Sequence, residues 1–234
     1  MKNYITLFSL FISLSLFAQK PNHANWSSLL KKHVTSAGKV NYKGFKKDVT
    51  KVDAYISDLK KHAPQSSWSS NEKKAYWINA YNAFTVKLIL TKYPTKSIKS
   101  LKFNGKSAWD HKWIDISGKK LSLNDIENVK LRKTFKDARI HFVINCASYS
   151  CPILLNKAIT ASNINQLLTQ QTKKFLSDQT RNKISANKAQ ISELFKWYST
   201  DFGDIITFIN KYSTTKVAKG TAVTYLKYNW NINE

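Results

Sequence analysis

The stretch SSNEKKAYWINAYNAFTVKLILTKY, residues 69–93, decides the fold. Serine and asparagine residues with N-cap chemistry open it and Pro94 follows it, so the sequence predicts a long helix between them. Apolar and aromatic residues recur at helical spacing along one side, and Asn79 and Asn82 lie three residues apart on a neighbouring face. We expect this helix to be buried on most sides and to pack on a small, mostly antiparallel sheet.

Asn79 and Asn82 are polar residues inside this apolar segment. A buried amide needs hydrogen-bond partners for its NH2 group and for its oxygen, and these are either backbone groups of adjacent segments or a ligand. Backbone partners are the commoner case. The two asparagines are therefore supporting candidates for a site, with a structural role as the simpler interpretation.

The rest of the chain mixes short helical patterns with short strand patterns, and we find no internal repeat, low-complexity tract or linker. This mixture predicts a single α+β domain over residues 19–234. Helices are predicted at residues 25–34, 45–61, 124–135, 161–176, 193–198 and 204–212, and strands at residues 109–116, 120–122, 183–185, 190–192 and 222–230.

The sequence RIHFVINCASYSCP, residues 139–152, contains both cysteines of the chain and one of its five histidines. The β-branched and aromatic residues at 140–144 predict a buried strand, on which His141 and Cys146 point to opposite faces. Cys151 stands directly before Pro152, which predicts a short helical turn with Cys151 at its N-cap. In that position the helix dipole would lower the pKa of the Cys151 thiol.

A Cys–His hydrolase or acyltransferase is one hypothesis for this stretch. Such chemistry needs a thiolate, a base within hydrogen-bond reach and an orienting amide or carboxylate. Cys151 is the candidate nucleophile and His141 the candidate base. The candidates for the orienting group are Asn79, Asn82, Glu127 and Asn145.

A disulfide between Cys146 and Cys151 is the competing interpretation. The cysteine count is even, the two residues are five apart across a turn, and the predicted compartment is oxidising. A disulfide-bonded or inert pair is the simpler interpretation, and a labile bond would reconcile both. A metal site is a weaker alternative, because the sequence has no CxxC pair or HExxH spacing, and we predict neither a metal nor a cofactor.

Aromatic residues indicate a different class of function. Tyrosines and tryptophans combine an apolar face with a polar tip, and they commonly line grooves for sugars or peptides. Trp109, which follows a loop at residues 104–107, and Tyr81 are the candidate binding residues. Other aromatic residues could join them, although most are expected in the core: Trp77, Trp113, Trp197, Tyr198 and Trp230.

Charge and the N-terminal segment bear on partners and location. Residues 1–18 carry one lysine, an apolar run and a final small residue, which predicts a signal peptide cleaved after Ala18 and a periplasmic or secreted protein. No later run predicts a membrane span. The formal net charge is +24, but only three of the 38 basic residues are arginine and the lysines are scattered. This distribution favours a solvated basic surface, and no nucleic-acid partner is expected.

Five blocks of sequence, in order along the chain, resemble domain-of-unknown-function family 547. They are YWINAYNA at 76–83, LSLNDIE at 121–127, HFVINC with SCP at 141–152, LFKWY with DF at 194–202, and YLKYNW at 225–230. The resemblance implies a domain that occurs in bacterial envelope proteins and in plant proteins with a leucine zipper, and that has no established activity. Family members often have His and Asp where this chain has Asn128 and Asn229, so an acid or base at either position would be lost here.

The sequence therefore predicts an envelope protein that binds a ligand or a partner protein. The Cys–His enzyme, with Cys151 as nucleophile and His141 as base, is the alternative. A reduced, accessible Cys151 within reach of His141 would favour the enzyme, and an open groove lined by Trp109 or Tyr81 would favour binding.

Overall fold

The structure is a computed structural model that describes residues 19–234, and the predicted signal peptide lies outside these residues. The helices are α1 (His23–His33), α2 (Tyr42–Lys47), α3 (Val49–Lys61), α4 (Ser70–Thr91), α5 (Ile164–Ser177), α6 (Leu194–Trp197), α7 (Ser199–Phe202) and α8 (Ile205–Tyr212). The strands are β1 (Lys102–Phe103), β2 (Lys106–Ser107), β3 (Ile114–Ile116), β4 (Lys119–Leu121), β5 (Lys183–Ser185), β6 (Lys188–Ser192) and β7 (Val223–Leu226). A π-helix spans Asp125–Lys133, and 3-10 turns span Ile98–Ser100 and Ala138–Phe142.

Helix α4 is the buried centre of this α+β domain, as predicted. Ser69 and Glu72 form a capping box, in which the Glu72 amide donates to the Ser69 hydroxyl at 3.3 Å and the Ser69 amide donates to the Glu72 carboxylate at 2.7 Å. Of the 22 residues of α4, 16 are buried. The helix packs mainly against α2, α3 and the π-helix, and not on a sheet as the sequence led us to expect.

The strands form three small sheets. Two are the hairpins β1–β2 and β3–β4, and the third has the order β5–β6–β7. Only β6 and β7 pair in parallel, so the sheets are mostly antiparallel, as predicted. Ser117 and Gly118 connect β3 to β4 with φ values of 53° and 73°, the left-handed conformation that a two-residue hairpin turn of type I′ requires.

Three of the predicted elements differ clearly in extent from the observed ones. The strand expected at 109–116 is limited to β3, and residues 109–113 form no strand. The helix expected at 45–61 is divided at Asp48 into α2 and α3. The Asp48 carboxylate accepts a hydrogen bond from Lys32 at 2.6 Å and lies 2.7 Å from Nε2 of His33, so it joins this break to α1. The final strand, expected at 222–230, is limited to β7.

The strand predicted at 140–144 is wrong, and so is the helical turn predicted after Cys151. Residues 138–142 form a 3-10 turn, and residues 152–155 have no regular structure. In a 3-10 turn side chains three residues apart eclipse one another. Ile140 and Val143 therefore share one side and enter the core around α4, while Phe142 enters a second core with Phe175 and Phe195. Ile140 and Phe142, which alternation along a strand would place on the same face, thus lie in different cores.

The second core links α5, α6, α7 and α8 to the three-stranded sheet. It places the C-terminal third of the chain against the 3-10 turn that follows the π-helix. Within residues 19–234, no helix has the length and apolar character that crossing a membrane requires.

Candidate functional site

A cavity of about 290 Å³ lies where α4, the π-helix, the 3-10 turn and the C-terminal segment meet. Six candidate residues from the sequence line it: Tyr81, Trp109, Glu127, His141, Cys146 and Cys151. Six further lining residues add aromatic and polar groups: Asp110, Asn124, Trp197, Tyr198, Tyr228 and Trp230. The structure thus brings residues from widely separated blocks of sequence to one place.

His141 forms one wall of the cavity and is almost completely buried. Its Nε2 atom lies 2.7 Å from Oδ2 of Asp201, which belongs to α7. Arg132 of the π-helix donates to the same carboxylate through Nε at 2.5 Å and Nη2 at 3.0 Å. Hydrogen bonding to His141 is the main reason that the pKa of Asp201 lies well below its usual value, and Arg132 adds to this effect. The Asp201 carboxylate is therefore a charged hydrogen-bond acceptor that orients the imidazole of His141.

Glu127 approaches the other ring nitrogen of His141. Its Oε1 atom lies 3.9 Å from Nδ1, and the carboxylate is buried. The π-helix places Glu127 and Arg132 five residues apart, the spacing that i→i+5 hydrogen bonding brings to one side. Tyr198 packs against the imidazole with 4.1 Å between ring centroids and the rings tilted by 30°. Burial, together with the charge of Glu127 and a hydrogen bond to it, raises the pKa of Tyr198.

Both cysteines are free thiols, so the predicted disulfide is not formed in the structure. Their Sγ atoms lie 2.8 Å apart, against about 2.05 Å in a disulfide. Cys146 is partly exposed to the cavity, with the hydroxyl groups of Ser148 and Tyr228 at 3.0 and 3.4 Å from its sulfur. Cys151 is only 5% exposed, and its sulfur accepts the backbone N–H of Cys146 at 2.9 Å.

The surroundings of the two thiols shift their pKa values in opposite directions. Burial opposes ionisation of Cys146, but hydrogen bonds with Cys151, Ser148 and Tyr228 outweigh it and lower the pKa of this thiol. Burial raises the pKa of Cys151 well above the usual value, and the neighbouring Cys146 sulfur raises it further. The sequence-based geometry favoured Cys151 as the sulfur near His141. The structure instead gives Cys146 the more accessible and more acidic thiol.

Asn79 and Asn82 use their amides to bind backbone groups. The Asn79 side chain pairs with both backbone groups of Ile159, at 2.6 and 3.1 Å. Asn82 donates to the Val143 carbonyl at 2.9 Å and accepts the Asn145 amide at 2.8 Å. Asn82 thus holds the segment that leads to Cys146 against α4, and Asn79 holds the segment at Ile159, beyond Cys151. Neither asparagine lines the cavity.

Asn145 acts next to Cys146. Its Nδ2 atom donates to the Pro152 carbonyl at 2.8 Å, and its Oδ1 atom accepts the Ala147 amide at 2.9 Å. These bonds join the two ends of the loop between the cysteines. Asn145 therefore positions the loop between the cysteines. The residue that orients His141 is Asp201.

The mouth of the cavity has an aromatic platform, which we define as Trp197, Tyr228 and Trp230. Trp197 stacks on Trp230 with centroids 5.5 Å apart, and Tyr228 lies 4.5 Å from Trp230. Trp109 meets Trp230 edge to face at 5.8 Å. Trp197 is 43% exposed, so a large apolar face is open to solvent beside the polar groups of the cavity.

The cavity differs in charge from the rest of the protein. None of its described lining residues is lysine or arginine, although the chain has 38 of these residues. Asp110 and Glu127 contribute carboxylates. In the described residues, no group of three or more His, Cys, Asp or Glu side chains is placed to hold a metal ion. The cavity therefore suits ligands that are neutral or positively charged.

Sequence reasoning did not identify Asp201 as a partner of His141, nor did it assign Tyr228 to the site. Asp201 lies in the same block of the family resemblance as LFKWY, and this position could have indicated that it belongs to the site. Its contact with His141 spans 60 residues, however, and depends on how the second core folds. Trp197, Tyr198 and Trp230 were considered for a groove but expected in the core, and here they line the cavity.

A comparison with known protein families covers some of the residues that line this cavity. Residues 65–176 match the model of a family described as "Protein of unknown function, DUF547". The matched range includes Glu127, His141 and both cysteines, whereas Asp201 and the aromatic platform lie beyond it. The search of curated proteins and the search of solved structures each found no match. The resemblance to the DUF547 family predicted from the sequence is thus confirmed over residues 65–176.

Proposed function

We propose that this protein binds a small polar ligand in the cavity, outside the cytoplasm at the cell envelope. The observation that carries the proposal is the aromatic platform beside the cavity. An exposed tryptophan face next to carboxylate, imidazole and amide groups suits a sugar or a short peptide. The composition of residues 1–18 supports the location.

Charge narrows the class of ligand. The cavity has the carboxylates of Asp110 and Glu127 and no lysine or arginine among its described lining residues. An anionic ligand would lose hydration there and would meet these carboxylates, with no lysine or arginine among the described lining residues to compensate. We therefore infer that the ligand is neutral or carries an amine.

Tryptophan fluorescence of the full chain tests this proposal. The probes are a glucosamine disaccharide, its neutral N-acetylated form and a glucuronate-containing disaccharide. We expect affinity for the amine and neutral forms and none for the anionic form. Trp197→Ala should weaken binding by roughly threefold to tenfold, because a stacked aromatic contributes about 0.5–1.5 kcal/mol beyond its buried area.

Tyr149→Ala is the matched control, since Tyr149 is 48% exposed and is not among the lining residues of the cavity. This variant should bind all three probes as the unaltered chain does. Binding that prefers the anionic disaccharide, or that survives Trp197→Ala unchanged, would contradict the proposal.

A thiol hydrolase or acyltransferase is the second candidate. It is supported by the presence of Cys146 and the Asp201-oriented His141 in one cavity. In this candidate Cys146 replaces Cys151 as the nucleophile, because Cys151 is only 5% exposed and Cys146 is the more accessible thiol. Hydrolysis of p-nitrophenyl acetate tests it: Cys146→Ser and His141→Ala should both abolish the activity, and Cys151→Ser should retain it.

A further inference from the structure

The loop between the cysteines holds two free sulfur atoms in contact. The Sγ atoms of Cys146 and Cys151 are 2.8 Å apart, so a bond of about 2.05 Å needs a movement of less than about 1 Å. This proximity does not depend on a ligand, and the binding function proposed above makes no use of it.

The loop is fixed at several points. Asn145 donates to the Pro152 carbonyl at 2.8 Å and so closes the loop at its base. Arg181 donates to the carbonyls of Cys151 at 3.2 Å and Tyr149 at 2.6 Å. A loop held by these bonds keeps the sulfurs together without a covalent link, so little chain entropy remains to be lost when they bond.

The two sulfurs are unequal in access. Cys146 is partly exposed and lines the cavity, next to the hydroxyl of Tyr228 at 3.4 Å. Cys151 also lines the cavity but is only 5% exposed. Thiol exchange needs an accessible sulfur that ionises readily for the first attack and a second sulfur within reach to complete the reaction. The lowered pKa of Cys146 and the raised pKa of Cys151 agree with this order.

We propose that Cys146 and Cys151 are a dithiol pair that reduces a low-molecular-weight disulfide in the cavity. The Cys146 sulfur attacks one sulfur of the substrate, which breaks the substrate S–S bond, forms a mixed disulfide and releases one thiol. The Cys151 sulfur then attacks Cys146, which breaks the mixed disulfide and releases the second thiol. Two electrons and the two thiol protons of the protein pass to the substrate, and a Cys146–Cys151 disulfide remains.

The cavity determines which disulfides can react. At about 290 Å³ it admits a small molecule, and its carboxylates disfavour an anion. Cystamine, which carries amines, and 2-hydroxyethyl disulfide, which is neutral, should therefore react faster than oxidised glutathione, which carries a net negative charge. We expect a difference of roughly tenfold or more between cystamine and oxidised glutathione.

Two measurements on the full chain test the proposal: the number of thiols released per protein molecule, and the change in mass of the protein. The reduced protein, freed of reductant, is mixed with each of the three disulfides. The unaltered chain should release two thiols per molecule and lose the mass of two hydrogen atoms. Cys151→Ser should stop at a mixed disulfide on Cys146 with one thiol released. Cys146→Ser should react at no more than about one tenth of the rate of the unaltered chain, since Cys151 is buried.

The unaltered chain alone suffices if a variant fails to fold. Release of a single thiol with a stable mixed disulfide would overturn the proposal, as would two thiols that stay unreactive until the protein is denatured. A native protein whose Cys146–Cys151 bond resists dithiothreitol would show a permanent structural disulfide and would also overturn it. Thiol release does not depend on sugar binding, so failure here leaves the ligand proposal standing.

Discussion

Nε2 of His141 lies 2.7 Å from Oδ2 of Asp201, and the bond joins the 3-10 turn to α7 across 60 residues of sequence. Arg132 donates two hydrogen bonds to the same carboxylate. Asp201 therefore joins the π-helix, the 3-10 turn and α7 through one side chain. Its removal would free the imidazole of His141 to turn and would leave a partly buried guanidinium without its carboxylate.

Asp201→Asn is expected to reduce the free energy of unfolding by about 1.5–3 kcal/mol at pH 7, since hydrogen bonds to charged groups contribute that much. The folded-state pKa of Asp201 is depressed, mainly by His141. Its stabilising contribution is therefore fully present above the unfolded pKa of about 3.9 and is lost as the pH falls toward the folded value. Urea unfolding from pH 7 to pH 2 should show the two proteins converging in acid.

Asp53→Asn is the matched control, because Asp53 pairs with Lys87 at the surface and its side chain is 48% exposed. This substitution should change stability by less than about 0.5 kcal/mol across the same pH range. If Asp201→Asn gave an equally small change, the bond to His141 would not be stabilising the folded state.

Tyr228→Phe should slow the reaction of Cys146 with iodoacetamide at pH 7 by about tenfold. The Tyr228 hydroxyl lies 3.4 Å from the Cys146 sulfur and can stabilise the thiolate by donating to it. Its removal should move the midpoint of the labelling rate to higher pH. Mass spectrometry after a short exposure at each pH measures the rate at each cysteine separately.

Tyr149→Phe removes the same hydroxyl from an exposed tyrosine that is not among the lining residues of the cavity. Its labelling profile should coincide with that of the unaltered chain. An unchanged midpoint in Tyr228→Phe would show that other neighbours, such as Ser148 and Cys151, determine the acidity of Cys146.

Asn82→Ala should lower the free energy of unfolding by about 2–4 kcal/mol, because it leaves the Val143 carbonyl and the Asn145 amide buried without their partner. Asn165→Ala, at an exposed position of α5, should change it by less than about 0.5 kcal/mol. Urea unfolding measures both. A small effect of Asn82→Ala would mean that water replaces the lost amide.

Local patterns in the sequence were enough to predict α4 and part of the lining of the cavity. The N-cap residues before Glu72 and the proline after Tyr93 bound the helix within two residues of where it ends. Glu127, His141 and the cysteines were identifiable because they are the reactive residue types within the blocks of the family resemblance. In the structure they line one cavity, and their chemical roles stay predictions.

The orientation of the cysteines was beyond sequence reasoning. Residues 140–144 have the composition of a strand, and alternation along a strand would place Cys146 away from His141. The run is divided between two cores instead, and a period of three replaces a period of two. Which period is used depends on Phe175 and Phe195, far along the chain, so no local pattern could reveal it.

Glu127→Gln tests the origin of the charge preference of the cavity. Glu127 is buried and lines the cavity, and its charge acts there with less screening than at the surface. The substitution removes the charge of the side chain and keeps its shape. It should lower the affinity for the amine disaccharide, relative to that for the neutral disaccharide, by roughly threefold to tenfold. Fluorescence titration measures both affinities, and Asp53→Asn, which removes a charge at the surface, should leave the ratio unchanged. An unchanged ratio in Glu127→Gln would assign the preference to Asp110, the other carboxylate of the cavity, and Asp110→Asn should then lower it.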